Sequence, residues 1–436
     1  MADKLAVFGG PQAITVNEAD AFEWPIFEKE DLETVKIVMS ESDYKFYEEA
    51  YYLEKEIKKF FEIDYALPVV NGTAALHSAL FALGIGYGDE VIVPSYTYWA
   101  TVMPVLACNG TPVFAESDPG TLNIDPEDIE RRITPKTKAI IVVHLCGLPC
   151  EMDNIMEIAG KHSLKVIEDC AHCIDSEYRG KITGTIGDIG CFSYQATKLL
   201  PGIEGGMFIT SNREYYERAV ALGHYERLPG LPSDSEYKKY QHTCFGFKYR
   251  INPLSAAIIR VQFHKYERIN RQRIENLQYL EKELENIKGI EVIRTPAYMK
   301  RNYYCFRLKY KREELGGLEI DKFIAALQAE GLETGRERYV LMHKQPVFNE
   351  RNSLFPWSYN TEKMPGKTNL PVTENLYETI LTMPTFTRAS KNLVNQYIEG
   401  IKKVVANAEE LKNFEELNIK DIPDMDWSGF DHPVLR

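Results

Sequence analysis

Two segments of the chain place a carboxylate and an amine where one cofactor can use both. In KVIEDCAH, Asp169 ends an apolar run that is typical of a buried strand, and in CFSYQATKLLPGIEGG, Lys198 precedes a glycine-rich turn. A lysine amine can form a Schiff base with an aldehyde, and a carboxylate can keep a ring nitrogen protonated. The pair therefore predicts a site for pyridoxal 5'-phosphate (PLP), in which Lys198 holds the cofactor and Asp169 faces its pyridine nitrogen.

Each of these two residues also has an ordinary structural explanation. Most lysines are solvated surface residues, and an aspartate at a strand end often caps the following helix. The surroundings of Lys198, apolar on one side and rich in glycine on the other, differ from those of a solvated helix face. On its strand, Asp169 shares a face with Ile167 and Ala171 because side chains alternate. The combination of the two residues favours the PLP site.

A phosphate site is predicted where an apolar strand meets a helix, at Asn71-Gly72-Thr73. Backbone N–H groups at a helix start attract anions, and the Thr73 hydroxyl adds a donor. Ser193, which lies just before Lys198, can supply a second hydroxyl. Helix capping explains Gly72 and Thr73 equally well when they are considered alone.

Two rings are candidates for contact with the flat cofactor. Tyr98, in PSYTYWAT, can stack on the ring, and in an extended segment its neighbour Trp99 would point the other way. His172 can hydrogen-bond the phenolic oxygen of PLP. Aromatic core packing is the alternative for Tyr98, and a satisfied core histidine is the alternative for His172.

Four cysteines offer a competing interpretation as a zinc site. Cys146 and Cys150, then Cys170 and Cys173, approximate the paired spacing of zinc ribbons. The spacing between Cys146 and Cys150 is one residue longer than a zinc ribbon uses. Both pairs lie at the ends of strands whose patterns indicate buried parallel strands, which form no zinc knuckle. We therefore expect no metal site.

The composition excludes several classes of function. Among 436 residues, 64 are acidic and 51 are Lys or Arg, which gives a net charge of −13. Such a surface disfavours binding to nucleic acid or to an anionic membrane. We find neither a signal-peptide pattern nor an apolar run of membrane-spanning length. Eight dilute cysteines predict free thiols in a reducing cytoplasm.

The order of elements predicts an α/β fold. Strand-like and helical patterns alternate from about residue 55 to 210, which indicates a mainly parallel sheet flanked by helices, with sites at the carboxyl ends of its strands. A long helical pattern from Pro253 leads to a smaller α+β region. The predicted division is an N-terminal arm and large domain (1–270), a small domain (271–412) and an acidic tail (413–436).

These segments, in this order, resemble the DegT/DnrJ/EryC1/StrS family of PLP-dependent sugar aminotransferases, which have fold type I. The matching segments include NGTAAL, GDEVIVPSYTYWAT, VIEDCAH, FSYQATK and GFKYRINPLSAA. The resemblance implies that Lys198 holds PLP and shuttles protons, that Asp169 pairs with the pyridine nitrogen and that Tyr98 stacks on the ring. It assigns Gly72, Thr73 and Ser193 to the phosphate.

The resemblance also implies a homodimer in which the GFKYR segment of one subunit reaches the cofactor phosphate of the other. Three features depart from the family pattern. His172 stands where glutamine is frequent, Lys248 stands where asparagine is frequent, and the loop 226–244 is longer than expected. A lysine at position 248 would bring a positive charge to the phosphate.

The resulting expectation is an aminotransferase that moves an amino group from L-glutamate or L-glutamine to a keto-sugar, either nucleotide-linked or phosphorylated. A cyclitol (inosose-type) aminotransferase or an aminoshikimate-type PLP enzyme is the alternative, favoured by LAVFGGPQAI and by the EDCAH variant. A non-catalytic PLP-binding regulator is a more remote alternative. Sugar dehydratases of the family carry histidine in place of the lysine, and the presence of Lys198 argues against that activity.

Overall fold

The computed structural model describes residues 4–41, 45–337, 339–350, 355 and 368–414, and its largest element is a central β-sheet. The first nine strands are β1 (Tyr65–Val69), β2 (Glu90–Pro94), β3 (Thr111–Ala115), β4 (Thr137–Val143), β5 (Lys165–Asp169), β6 (Glu177–Tyr178), β7 (Lys181–Ile182), β8 (Ile189–Ser193) and β9 (Gly206–Thr210). Seven of these strands form the sheet, in the order β1-β9-β8-β5-β4-β2-β3.

The central sheet is mainly parallel, as predicted. Strands β3, β2, β4, β5 and β8 pair in parallel, whereas β9 is antiparallel to both of its neighbours. Strand β1 therefore runs in the same direction as β8. Every residue of β2 and of β9 is buried, as expected for strands covered by helices on both faces.

The helices of the described residues are α1 (Lys29–Ser40), α2 (Glu48–Phe61), α3 (Gly72–Ala82), α4 (Trp99–Ala107), α5 (Pro126–Arg132), α6 (Met152–His162), α7 (Arg213–Gly223), α8 (Pro253–Leu284), α9 (Ile320–Ala329), α10 (Pro346–Asn349), α11 (Pro371–Thr379), α12 (Lys391–Ala406) and α13 (Ala408–Lys412). One apolar core joins α3, α4 and α7 to the sheet, and a second joins α5 and α6 to it. We call the central sheet with these helices the large lobe.

A second sheet forms the small lobe. The later strands are β10 (Ile290–Val292), β11 (Met299–Lys300), β12 (Phe306–Tyr310), β13 (Gly335–Arg336) and β14 (Ile380–Met383). Four of them form an antiparallel sheet in the order β10-β12-β14-β13. Residues of α9 and α12 share its apolar core, so this region has the predicted α+β character.

Helix α8 belongs to both lobes. It begins at Pro253, with the Asn252 side chain accepting a hydrogen bond from the Leu254 N–H. Its first half contacts α1 and α2, and its second half contacts α12 and β10. The predicted boundary at residue 270 therefore falls within one continuous helix. The acidic tail, beyond Phe414, lies outside the described residues.

A short sheet connects the two lobes, in addition to helix α8. Strand β11, which follows β10 of the small lobe, pairs with β6 of the large lobe through Met299 and Tyr178. Among the helices formed by the described residues, none combines the length and the apolar character that crossing a bilayer requires.

Candidate active site

Asp169 lies at the carboxyl end of β5, at the edge of the sheet where a ligand site was predicted. The parallel register aligns it with Val143 of β4 and Cys191 of β8. Its side chain is buried and accepts two hydrogen bonds, one at each oxygen. The Thr101 hydroxyl donates to Oδ2 at 2.8 Å, and the Ala171 N–H donates to Oδ1 at 3.0 Å.

The electrostatic environment of Asp169 would favour a further positive partner. Burial raises the pKa of Asp169, while its two hydrogen bonds and the charge of Lys198 act in the opposite direction. A carboxylate with one donor at each oxygen keeps lone pairs for another donor. A protonated pyridine nitrogen is such a donor, and it would stabilise the ionised form of the acid.

The residue before Asp169 fixes the strand end in place. Glu168 is fully buried and accepts four hydrogen bonds. The donors are His144 Nε2 at 2.9 Å and the backbone N–H groups of Gly184, Ile186 and Gly187 at 2.6–2.8 Å. A buried carboxylate with this many partners holds the 184–187 turn firmly against β5.

The predicted cysteine pairs do not converge into a four-ligand set within the described part of the chain. The cluster of potential metal ligands found there consists of His144, Glu168 and Cys170, whose ligand atoms lie within 4.8 Å of one another. His144 and Glu168 already bond to each other. Burial raises the pKa of the Cys170 thiol well above its usual range.

Gly72 and Ser193 lie against each other. Strand β1 leads into α3 at Gly72, and β8 ends at Ser193. The two strand ends meet because both Val69 and Ser193 pair with Gly206 of β9. A Cβ atom added to Gly72 would lie 2.8 Å from the Ser193 Cβ and 3.3 Å from its Oγ.

This arrangement has the features of a phosphate cradle. Asn71 caps α3, because its side chain accepts the Ala74 N–H at 2.9 Å, and the Gly72 and Thr73 backbone opens the helix. The N-terminus of a helix attracts anions, and the absence of a side chain at Gly72 leaves room beside the Ser193 hydroxyl. Thus the structure brings together Gly72, Thr73 and Ser193, as predicted from the sequence.

Lys198 lies in a loop that is held at several points. The Trp24 indole N–H donates to the Lys198 carbonyl oxygen at 3.1 Å, and the Lys198 N–H donates to the Gln195 carbonyl at 2.8 Å. The side chain is half-buried. Its Nζ lies 3.4 Å from the Tyr304 hydroxyl and 4.7 Å from the centre of the Tyr304 ring. The amine is therefore oriented by an aromatic residue of the small lobe.

His172 packs on the other side of this contact. Its ring stacks on Tyr304 with centroids 4.1 Å apart. The Cys146 N–H donates to Nδ1 at 3.3 Å, so a neutral ring carries its proton on Nε2, which lies 3.1 Å from the Tyr339 hydroxyl. Burial lowers the pKa of His172 well below its usual range, and the charge of Lys198 adds to this effect. The neutral ring thus presents an N–H donor in the site.

Tyr98 and Trp99 differ in exposure. Tyr98 immediately precedes α4 and packs partly buried against the core beneath the sheet, whereas Trp99 is 45% exposed. Their rings are tilted with centroids 5.0 Å apart. Tyr98 is therefore the more buried of the two residues.

Lys248 is exposed, in a segment that lies along the strand leading to Gly72. The Val70 N–H donates to the Tyr249 carbonyl at 2.8 Å, and the Tyr249 hydroxyl lies 2.7 Å from Nδ1 of His77. Phe247 is 45% exposed as well. The preceding loop 226–244 buries its leucines in the core that contains α3 and α7.

A cavity of about 230 Å³ is bounded in part by Tyr304, whose hydroxyl lies 3.4 Å from the Lys198 amine. Its walls include Trp24, Thr197, Arg273, Tyr304, Arg307 and Tyr339. A larger cavity of about 490 Å³ lies between α8 and the segment 292–303. None of the predicted site residues lines either cavity, but Tyr304, which contacts Lys198, lines the smaller one. The smaller cavity is the one that matters for chemistry at Lys198.

Several residues of the site were missed by the sequence analysis. Tyr304 and Tyr339 belong to the small lobe, and no local motif marks them. Arg273 lies in a helical pattern that reads as an ordinary amphipathic connection. Thr101 had a usable signal, because it stands three residues after Tyr98 in a motif that was already singled out.

The residues present fit PLP. The cradle formed by Gly72, Thr73 and Ser193 suits its phosphate, the buried Asp169 suits its ring nitrogen, and the amine of Lys198 suits its aldehyde. When bound, PLP supplies an electron sink for bonds at the substrate Cα.

Comparison with known proteins agrees with this geometry. The family model for the DegT/DnrJ/EryC1/StrS aminotransferase family matches residues 25–402. A protein of Streptoalloteichus tenebrarius, provisionally named an L-glutamine:3-amino-2,3-dideoxy-scyllo-inosose aminotransferase, is 31% identical over 433 residues, covering 94% of this chain and all of the relative. The GDP-perosamine synthase of Escherichia coli O157:H7 is 36% identical over 312 residues, which cover 70% of this chain and 81% of the relative.

A solved structure shows the same architecture. The aminotransferase from Psychrobacter cryohalolentis aligns with a TM-score of 0.78 and 29% identity, covering 89% of this chain and 99% of that one. The similarity to the family thus extends over sequence and fold, and the predicted fold type I is confirmed. The chain belongs to the DegT/DnrJ/EryC1/StrS aminotransferase family, and it is a PLP-dependent sugar aminotransferase.

Proposed function

We propose that this protein transfers the amino group of L-glutamate or L-glutamine to the ketone carbon of a keto-sugar, nucleotide-linked or phosphorylated. The observation that carries the proposal is the position of Lys198. Its amine lies 3.4 Å from the hydroxyl of Tyr304, which lines a cavity of about 230 Å³, and its charge acts on the buried Asp169. An amine for proton transfer and an acid for the ring nitrogen are the protein groups that transamination on PLP requires.

Each residue has a role that follows from its place. Asp169 keeps the ring nitrogen protonated, and Thr101 holds the carboxylate in position. Lys198 holds the cofactor and then moves a proton to and from the substrate Cα. Gly72, Thr73 and Ser193 bind the phosphate, and Tyr98 packs against the ring. His172 would donate a hydrogen bond from its Nε2–H to the phenolic oxygen of the bound cofactor, in place of its contact with the Tyr339 hydroxyl.

A cyclitol ketone is the second candidate acceptor. It is favoured by the Streptoalloteichus relative, whose entire length aligns with this chain and whose name specifies an inosose. The perosamine synthase, which supports the keto-sugar, aligns over a smaller part of this chain, although at higher identity. The two acceptors share a polyhydroxylated ring with one ketone, so a direct substrate test is needed to separate them.

We also propose a cytoplasmic homodimer with shared active sites. Lys248 and Phe247 are exposed beside the strand that leads to the phosphate cradle, where a second subunit can meet them. All eight cysteines are buried free thiols, which suits a reducing compartment.

The test compares Lys198→Ala with Lys181→Ala, which alters an exposed lysine. The purified protein is reduced with borohydride, digested and analysed by mass spectrometry. We expect the cofactor label on the Lys198 peptide in the wild type and in Lys181→Ala, and neither label nor turnover in Lys198→Ala. Turnover retained by Lys198→Ala would refute the mechanism.

The acceptor is then identified with the aminated form of the cofactor. Candidate nucleotide-linked keto-sugars, sugar phosphates and inososes are added separately to this form, and the return of the aldehyde absorbance is followed. A ketone that restores it rapidly is the substrate. If the protein binds the cofactor but reacts with no amino donor and no ketone, it is instead a non-catalytic PLP-binding regulator, which was the more remote alternative.

A further inference from the structure

Arg273 is a buried cation with open hydrogen-bonding groups. It lies on α8, its residue is 2% exposed, and its Nε and Nη2 atoms have no hydrogen-bond partner among the described residues. The guanidinium lies 4.7 Å from the centre of the Trp24 ring. One face of the group is thus covered by the indole, while the edge that carries Nε and Nη2 is unsatisfied.

That edge is the side-on fork of an arginine. The Nε–H and Nη2–H bonds point in parallel, and they match the two oxygens of a carboxylate. A buried polar group is normally hydrogen-bonded, and an unpaired buried charge is costly. The unsatisfied fork therefore indicates a ligand with two acceptor oxygens.

Neighbouring acids do not serve as the partner. Asp175, which lies close enough to affect the Arg273 charge, accepts a hydrogen bond from Tyr266 at 2.6 Å and pairs with Lys300 at 3.1 Å. Burial lowers the pKa of Arg273 to about 10, so the group is still a cation at neutral pH. Within the part of the chain that the structure describes, the charge is retained without a bonded counterion.

The side chain that carries this fork reaches the wall of the cavity next to Tyr304. Arg273 lines this cavity together with Tyr304, whose hydroxyl lies 3.4 Å from the Lys198 amine. The other arginine in the wall, Arg307, is already paired with Glu337 at 2.5 Å. A volume of about 230 Å³ is below the range of about 300–1,000 Å³ that drug-sized ligands occupy, and it suits an amino acid better than a nucleotide sugar.

We propose that Arg273 binds the α-carboxylate of the amino-acid donor and so directs the donor amine toward Lys198. This inference rests on the proposed function and assigns the donor subsite within it. Trp24 covers the guanidinium and also donates to the Lys198 carbonyl, so the arginine and the lysine loop are positioned by the same indole. Arg273 acts on the donor half of the reaction and not on the acceptor half.

The experiment measures the two half-reactions of the holoenzyme separately by rapid mixing. Arg273→Gln removes the charge, and Arg273→Lys keeps a charge but removes the fork. We expect Arg273→Gln to raise the apparent Kd for L-glutamate or L-glutamine by about 10- to 100-fold, as the loss of a charge-assisted pair predicts, and Arg273→Lys to recover only part of this loss. The reaction of the aminated form with the ketone should change less than about twofold, because the donor is absent from that step.

The matched control is Arg271→Gln, on the same helix, with a side chain that is 65% exposed. It should leave both half-reactions unchanged. An equal loss in both half-reactions of Arg273→Gln would overturn the assignment, because a phosphate of the acceptor or the fold itself would then depend on Arg273. An unchanged donor half-reaction would overturn it as well.

A second measurement uses only the wild-type protein, so its result does not depend on whether a variant folds. The wild-type holoenzyme is mixed with L-glutamate and with its α-amide, which keeps the side-chain carboxylate. We expect the α-amide to react at least about 10-fold less efficiently. Equal efficiency would overturn the α-carboxylate assignment and leave the proposed function standing, whereas a wild type that accepts no amino donor at all would overturn the proposed function itself.

Discussion

The Thr101 hydroxyl donates a 2.8 Å hydrogen bond to Oδ2 of Asp169, which connects the first turn of α4 to the end of β5. The same hydroxyl lies 2.8 Å from the Thr97 hydroxyl, which can donate to it in turn. Asp169 is therefore positioned by a chain of hydroxyl groups that begins in the segment of Tyr98. One motif thus supplies Tyr98, which we propose contacts the ring, and supports Asp169, which we propose faces the ring nitrogen.

Thr101→Val should reduce turnover by about 10-fold, because a buried carboxylate loses a hydrogen bond to its charged form. That bond lowers the pKa of Asp169 against the effect of burial, so its removal raises the pKa further. Asp169 is then ionised over a narrower range of pH, and the acid limb of the pH profile of kcat/KM should move to higher pH. Thr101→Ser should restore both properties, and an unshifted acid limb would contradict this role.

Asp169→Asn should keep much of the cofactor but lower turnover by about 100-fold or more, because the amide cannot hold the ring nitrogen protonated. Cofactor content is measured by absorbance and turnover by amino-group transfer. Near-normal turnover in this variant would show that the carboxylate is not the partner of the ring nitrogen.

Gly72→Ala should weaken cofactor binding, because the added Cβ meets the Ser193 Cβ at 2.8 Å and must displace the hydroxyl or the helix start. We expect at least about a 10-fold rise in the Kd for PLP and a loss of about 1–3 kcal/mol in unfolding free energy. Gly86→Ala is the matched control, since no atom lies within 4 Å of its new Cβ. If both variants bind PLP equally well, the phosphate of PLP does not bind beside Gly72.

His172→Gln should flatten the dependence of stability on pH in the acidic range. Since burial lowers the pKa of His172 in the folded protein, the unfolded chain binds the proton first, and stability falls as the pH drops below about 6.5. One such histidine contributes a slope of up to about 1.4 kcal/mol per pH unit. Urea unfolding between pH 7 and 5 measures the slope, with the exposed His242→Gln as control. An unchanged slope in His172→Gln would count against its buried neutral state.

A mixed dimer tests whether Lys248 acts across the subunit interface. Lys198→Ala and Lys248→Glu are each expected to reduce activity, the latter by repelling the phosphate. If Lys248 serves the partner's site, a co-expressed heterodimer of the two variants contains one intact site and should recover up to about half of the wild-type activity. If Lys248 serves its own subunit, every site in the heterodimer is damaged and no activity returns.

The sequence allowed a site residue to be predicted where a reactive side chain stands within a local pattern that also indicates a strand end or a loop. Lys198 and Asp169 could be found because each stands at a strand end or loop within a recognisable local pattern, and parallel strands carry their ends to one edge of the sheet. Gly72 and Ser193 are far apart in the chain, and each was assigned to the phosphate from its own segment, a helix start and the lysine loop. The mainly parallel sheet and the α+β character of the small lobe followed from the same patterns.

The remainder of the site depends on packing between the lobes. Tyr304 reaches Lys198 only because the small lobe folds against the lysine loop, and no period or motif encodes that contact. Arg273 looks like any basic residue on an amphipathic helix until its burial beside Trp24 is known. Such contacts join residues far apart along the chain, and a single sequence carries no direct record of them.

The two attachments between the lobes limit how substrates are exchanged. Helix α8 runs through both lobes as one continuous helix, and the pairing of β6 with β11 is a second, separate connection between them. A body fixed at two points resists the hinge rotation that a single flexible linker would permit. We therefore expect donor and acceptor to enter the site in turn without a large rotation of the lobes. This order suits a ping-pong enzyme, because the first product leaves before the second substrate arrives.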